Sequence, residues 1–322
     1  MVQAAYPTVG LDSIGAILGA ELAASDRVAE NNGVILRHLL RSDDHSVFSD
    51  EVIARVRGML LDLSRQIVVA LAEAAGHPDP HAWADEASDG VVDVLGANHV
   101  LLAHLHALAL EFHLTCRLES ERALDPVLSP LLQAQIASPL PDVATVAMKF
   151  LSAQARFCQS QRRMELPLGE LPGDLFRAVM LTLRAQAGDD AEADTVGAKA
   201  EQALRARHEG RPTRGGLAAD LLGAMGAAAA AALSIEDAGV ALFLSALTLG
   251  SRKSRDAAMM ATTDSQLPRL VLQLAACGLK PDAVAAQFAV LHPDIQLPDG
   301  IEALHADLAA ALLEQSAGVA EY

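Results

Sequence analysis

The residues whose types and spacing suit chemistry are densest between positions 98 and 116. His99, His106 and His113 repeat every seven residues, and seven residues carry a helix through nearly two turns, so the three imidazoles share one stripe. Consecutive rings on that stripe stand about 10 Å apart along the axis, whereas a zinc ligand bonds at about 2 Å. One ion therefore needs further ligands from another element. Asp89 and Asp93 on the preceding segment and Glu111 on the same one are the carboxylates within reach by spacing, either to complete a metal or haem site or to set an imidazole up for acid-base work. The competing expectation, which we favour, is a polar seam bonded to neighbouring helices or facing solvent.

Other constellations read more simply. His77-Pro78-Asp79-Pro80-His81 with Trp83 would bind a cation through His77, Asp79 and His81, but two prolines and an N-capping Asp describe a rigid helix entry. Asp85, Asp89 and Asp93 are spaced by four, as in the acid motifs that hold magnesium diphosphate in all-helical prenyl-transfer enzymes. Such enzymes also need a second acid motif and an aromatic cavity, and the chain has 7 Phe, 2 Tyr and 1 Trp. The other acid run, 189 to 194, reads as a helix start with charges suited to the macrodipole. Residues 274 to 288 have the shape of a helix-turn-helix, yet 281 to 291 contain no Lys or Arg to read bases or hold phosphates, so a structural helical hairpin is expected. Arg252, Lys253 and Arg255 follow Gly250 and open a predicted helix, where cations and free amides would seat a phosphate or an acidic partner peptide. Arg162 and Arg163 form a weaker case. We find no phosphate loop, nucleophile elbow, paired-cysteine zinc motif or nucleotide-binding βαβ unit, and assign no catalytic residue and no cofactor.

The elements that must position these residues follow from composition. Of the 322 residues 52% are hydrophobic but only 3% aromatic, and Ala and Leu dominate while β-branched residues are sparse, which favours an all-α fold with an aliphatic core. The net charge is -17, spread over both halves, so a polyanion would be repelled and no nucleic-acid partner is expected. Cys116, Cys158 and Cys277 are too far apart and odd in number for a disulfide framework. Periodicity predicts helices near 11–24, 27–41, 49–75, 80–95, 97–121, 126–138, 141–164, 172–187 and 190–208, then 217–233, 235–249, 252–262, 265–277, 281–291 and 299–316. In 49–75 the apolar positions Val52, Ile53, Val56, Met59, Leu60, Leu63, Ile67, Val68 and Leu71 make one buried stripe, with Arg55, Arg57, Asp62 and Arg65 on the wet side. Gly76, Gly188 and Gly210 sit where a left-handed C-terminal residue costs least.

Short joints imply antiparallel pairs, arranged as an irregular solenoid-like stack or two helical bundles. The run 209–216, with its Pro and glycines, is the expected linker between an N-terminal domain, 1–208, and a C-terminal one, 217–322. Gly223 to Ala232 predicts a buried central helix; a membrane hairpin over 217–249 would have to bury Asp220, Glu236 and Asp237, and an oligomer seam is the remaining alternative. The first cation is Arg27, so no signal-peptide start is read and a cytoplasmic protein without a membrane partner is expected.

Gly239 to Gly250, Leu270 to Gly278 and the hairpin after it, about 239–290, resemble the C-terminal part of an all-helical bacterial domain family with no assigned activity. The resemblance implies a bacterial helical protein and transfers no site residues. The favoured function is a non-enzymatic scaffold or regulator acting through a protein partner or self-association. The rival is a small-molecule or metal binder, or an enzyme, using helix 97–121.

Overall fold

A computed structural model describes residues 15–27, 50–188, 190–209, 212–297 and 300–316. The fold is all-α, with no strand among the described residues and many antiparallel helix contacts. In chain order the helices are α1 (15–27), α2 (Asp50–Ala75), α3 (Pro80–Ala87), α4 (Asp89–Gly96), α5 (His99–Arg122), α6 (Pro130–Ile136), α7 (Pro141–Arg162), α8 (Gly173–Ala187), α9 (Ala191–Glu209) and α10 (Arg214–Met225). They continue with α11 (Ile235–Ser251), α12 (Arg255–Ala261), α13 (Leu267–Ala276), α14 (Pro281–Leu291) and α15 (Ala306–Gln315). The predicted helix 27–41 and the start of 11–24 lie outside the described residues, as does Gly210.

The helix starts have local causes. Asn98 opens α5 by accepting from the amides of Val100 and Leu101, both at 3.1 Å. Asp79 with Pro80, and Ser129 with Pro130, do the same for α3 and α6. Such caps satisfy amides that have no carbonyl four residues back. Gly76 and Gly188 turn with φ of 78° and 107°. The predicted helix 80–95 is two helices parted at Ser88.

The chain divides into two compact units. Unit 2 holds α2 to α10. Its centre is α2, which packs against α3, α4, α5, α8 and α9 and buries Val56, Met59, Leu63, Ile67 and Val68. Burying such side chains stabilises by about 1.5–3 kcal/mol each. Arg55, expected in water, is buried instead; it hydrogen-bonds the Gln161 carbonyl of α7, donates to Glu51 at 2.9 Å and lies 4.3 Å over the Phe112 ring. The helix α10 packs on α7.

Unit 1 holds α1, most of α11 and α12 to α15. Its central α13 buries Leu270, Val271, Leu272 and Leu274 and packs against α12, α14 and α15. The Arg269 guanidinium of α13 is paired with Asp26 of α1, and Gln266 donates to the Ser25 carbonyl at 2.7 Å. Burial lowers the Arg269 pKa more than Asp26 restores it.

Two sequence expectations change. The division falls after Gly226 rather than at 209–216, because α10 belongs with unit 2 and the described N-terminal helix with unit 1. The buried central helix expected over 217–233 ends at Met225; Gly226 turns with φ 56°, and Gly226–Leu233 is a 3-10 segment in which only Ala232 is buried. Bare methyl groups offer little area to bury, which removes the packing that would hold a longer helix. By length and composition a window within Ala191–Leu233 reaches the hydropathy of a membrane span, 1.6, but its α10 part buries Arg214 with four apolar residues in unit 2.

Candidate functional site

The histidine stripe does not form one site. His99 is exposed at the start of α5, while His106 is 4% exposed and burial pushes its pKa down to about 4, so its imidazole is neutral at pH 7. His113 is half-exposed, with Nδ1 3.5 Å from Glu51 Oε2. Among the described residues no group of three or more His, Cys, Asp or Glu side chains converges as a metal ion would require.

Glu111, a sequence candidate for pairing with an imidazole, has another principal partner. Its Oε1 and Oε2 accept from Arg214 Nη1 and Nη2 at 2.6 and 3.0 Å. Gln154 Oε1 accepts from Nη1 at 3.1 Å, and the guanidinium lies 3.7 Å over the Phe157 ring. Burial opposes the charge on Arg214, but Glu111 and Glu170 outweigh it and hold the pKa above the ordinary arginine value. Thr213 caps the helix that Arg214 opens, accepting from Gly216 N at 3.2 Å, and Glu170 accepts from the Arg214 amide at 3.2 Å. This buried network ties α5, α7 and the 3-10 turn Leu168–Glu170 to the first residue of α10.

A cleft of about 300 Å³ adjoins that network, between the last turns of α7 and α9, the segment 166–170 and Phe176 of α8. Its wall at 166–168 is held from α2: Asp62 Oδ2 accepts from Leu166 N at 2.8 Å, Gln66 Nε2 donates to Leu166 O at 2.9 Å, and Gln66 Oε1 accepts from Leu168 N at 2.9 Å. Burial raises the Asp62 pKa despite these bonds. Further up the wall, Met164 adopts φ 59°, and its Cβ and carbonyl would stand 2.5 and 2.8 Å from a Cβ added at Gly58. Only glycine on α2 lets that backbone approach.

Two buried polar atoms at the cleft have no hydrogen-bond partner among the described residues: Gln161 Oε1 and His208 Nδ1. Gln161 is 0% exposed. Its Nε2 donates to Glu165 O and Met59 Sδ, both at 3.2 Å, so the amide orientation is set by a carbonyl and the oxygen is left over. The His208 ring stacks flat on Phe176, with centroids 4.0 Å apart and planes at 5°. Arg156, Arg163 and Arg207 also line the cleft. Arg163 and Arg207 meet Glu165 and Glu73 only at 3.9 and 3.6 Å, with guanidinium side chains 71% and 68% exposed; such pairs hold little energy.

The remaining candidates are positioned as follows. His77 stacks on Trp83 at 4.9 Å and Asp79 accepts from Ala82 N at 3.0 Å, which makes a helix entry. Asp85 pairs with Arg65 at 2.7 Å, and Asp190 accepts from Ala193 N at 2.8 Å. Asp89 and Asp93 lie exposed on α4. Arg252 does not open a helix: it ends α11 in a left-handed conformation. Arg255 donates to Ser245 Oγ at 2.6 Å, and Ser254 caps the short α12. Burial raises the Cys158 thiol to about 11 and Cys277 to about 12, so neither is a ready nucleophile.

The sequence reading missed Arg214, Gln161 and His208. Arg214 stands in a Pro- and Gly-rich run that reads as linker; the signal was on the other partner, a Glu within the apolar run 107–114 that a buried helix retains only with a counter-charge. No protein-family model, curated protein or solved structure matches the chain.

Proposed function

We propose that this chain is a non-enzymatic helical regulatory protein that binds a small molecule in the cleft between α7 and α9. The observation that supports it most is the cleft itself, of about 300 Å³, where Arg156, Arg163 and Arg207 stand beside Phe157, Leu166 and Phe176. Gln161 and His208, each with a buried polar atom that has no hydrogen-bond partner among the described residues, belong to the same lining. The cavity is of the size at which small-molecule sites begin. Saturation-transfer NMR of a fragment library on the full chain tests this, repeated on Gln161→Leu and His208→Phe. Compounds whose signals vanish in both variants support the reading. If no fragment depends on either residue, it fails.

Output through protein contacts is the second reading, favoured by Leu140 and Met148, which are 59% and 49% exposed on and beside α7, and by Leu128 just before α6. Sedimentation of the wild type against Leu140→Lys/Met148→Lys checks it: a self-associating wild type and a monomeric variant are expected, and identical monomers would remove it.

A further inference from the structure

We infer that unit 1 carries a second small-molecule site, whose ligand is a small organic cation with an apolar body and a protonated amine. The site is a recess of about 440 Å³ between α1, the start of α13, Phe288 of α14 and the segment 295–296. It lies wholly within unit 1, so it neither needs nor supports the reading of the unit 2 cleft.

The walls suit an apolar guest. Leu18, Val271 and Phe288 line the recess as core side chains, each with no more than 2% of its surface exposed. The surface a guest would take out of water belongs to Ala24, to the half-buried Leu267 and Pro268, and to Ile295, which is 37% exposed. Covering such surface is favourable in proportion to its area, and a mainly apolar recess with a few charged groups at its edge is the usual make-up of a small-molecule site.

The charges decide which apolar guest fits. The charged side chains on the lining are Glu21 and Asp264, both exposed, and no Lys or Arg lines it among the described residues. Arg269, close by in sequence, is 1% exposed and turned to Asp26 and Gln266. An anion would meet two like charges, whereas an ammonium would meet two opposite ones. The last turn of α1, with Ala24, adds the negative end of its dipole. Two features oppose a cation. His292 Nδ1 lies 3.0 Å from Asp264 Oδ1, yet the Asp264 side chain remains 84% exposed and open to a second partner. The start of α13 brings a positive dipole end, to which Pro268 contributes no amide.

Calorimetric titration of the full chain tests the inference with 2-phenylethylammonium and three controls, each altered in one respect. 2-Phenylethanol keeps the ring and loses the charge, 3-phenylpropanoate reverses the charge, and methylammonium keeps the charge and loses the ring. Saturable binding of 2-phenylethylammonium is expected, at least about fivefold tighter than that of 2-phenylethanol, the scale of one or two exposed charge pairs. The other two should not saturate. Glu21→Gln/Asp264→Asn should abolish the preference for the amine over the alcohol and leave the affinity for the alcohol unchanged. Ala24→Trp, which fills the recess from an exposed helix position, should abolish binding of both, with circular dichroism showing an unchanged helix content. The inference is overturned if the amine does not bind, if it binds no tighter than the alcohol, or if its advantage survives in Glu21→Gln/Asp264→Asn. Unchanged binding in Ala24→Trp would place the guest elsewhere and overturn it too.

Discussion

Arg214 and Glu111, 103 residues apart in sequence, meet as a two-pronged ion pair at 2.6 and 3.0 Å with both side chains buried. Neither charge has a place in the interior without the other. Removing one partner should cost about 3–5 kcal/mol, whereas replacing both by apolar groups of similar size should be close to neutral. Urea denaturation of Arg214→Met, Glu111→Leu and the double variant checks this: two strongly destabilised single variants and a largely recovered double variant are expected. Additive losses would mean that the two residues act separately.

His106 gives the stability curve a defined pH dependence. Its folded pKa, about 4, lies below the ordinary 6.5 because burial disfavours the cation. The unfolded chain therefore takes a proton that the folded one refuses. The contribution is whole above pH 6.5 and is lost as pH falls toward 4, a total of about 3 kcal/mol. Urea midpoints at pH 7.5 and 4.5 for the wild type and His106→Asn should show a smaller drop in the variant, and equal drops would contradict the assignment.

At Gly58 a methyl group would stand 2.5 Å from Met164 Cβ and 2.8 Å from its carbonyl, so Gly58→Ala must push the segment that leads into the cleft wall away from α2. A loss of about 1–3 kcal/mol is the ordinary cost of such overpacking. Thermal melting reads the loss, and amide exchange at 164–168 should quicken more than in the rest of unit 2. Uniform quickening would place the strain elsewhere.

Gln273 in α13 is fully buried, and neither amide atom has a partner among the described residues. Replacing a buried unsatisfied amide by an apolar chain of similar shape removes a desolvation cost of about 1–3 kcal/mol. Gln273→Met should accordingly raise the melting temperature, read by calorimetry; a lower one would contradict the assigned desolvation cost.

Much of the helical pattern was legible in the sequence, because the nine apolar positions expected on the stripe of 49–75, Val52 to Leu71, are buried in α2, and Asp79 caps its helix where its side-chain chemistry suggests. Arg55 was not legible. A period of 3.6 tells which face a residue occupies, not that a guanidinium at its border will be drawn inward by a carbonyl of α7 and the Phe112 ring. The alanine run misled for a related reason, since hydropathy rates a methyl as buried while packing needs area. The histidine spacing was read from one helix, but the surroundings of each ring are set by its neighbours, which is why His99 is exposed and His106 dry. The cleft was invisible because Gln161 and His208 belong to different helices and carry no motif.

The position of Arg214 also bears on how the polypeptide may be cut. A fragment terminated at 208, where the Pro- and Gly-rich run invites the scissors, would keep Glu111 in its interior and discard the guanidinium that neutralises it. Such a piece should express as aggregate, while one carried through 226 should stay in solution; the shortest autonomous version of unit 2 is thus dictated by an electrostatic debt and not by the look of a hinge.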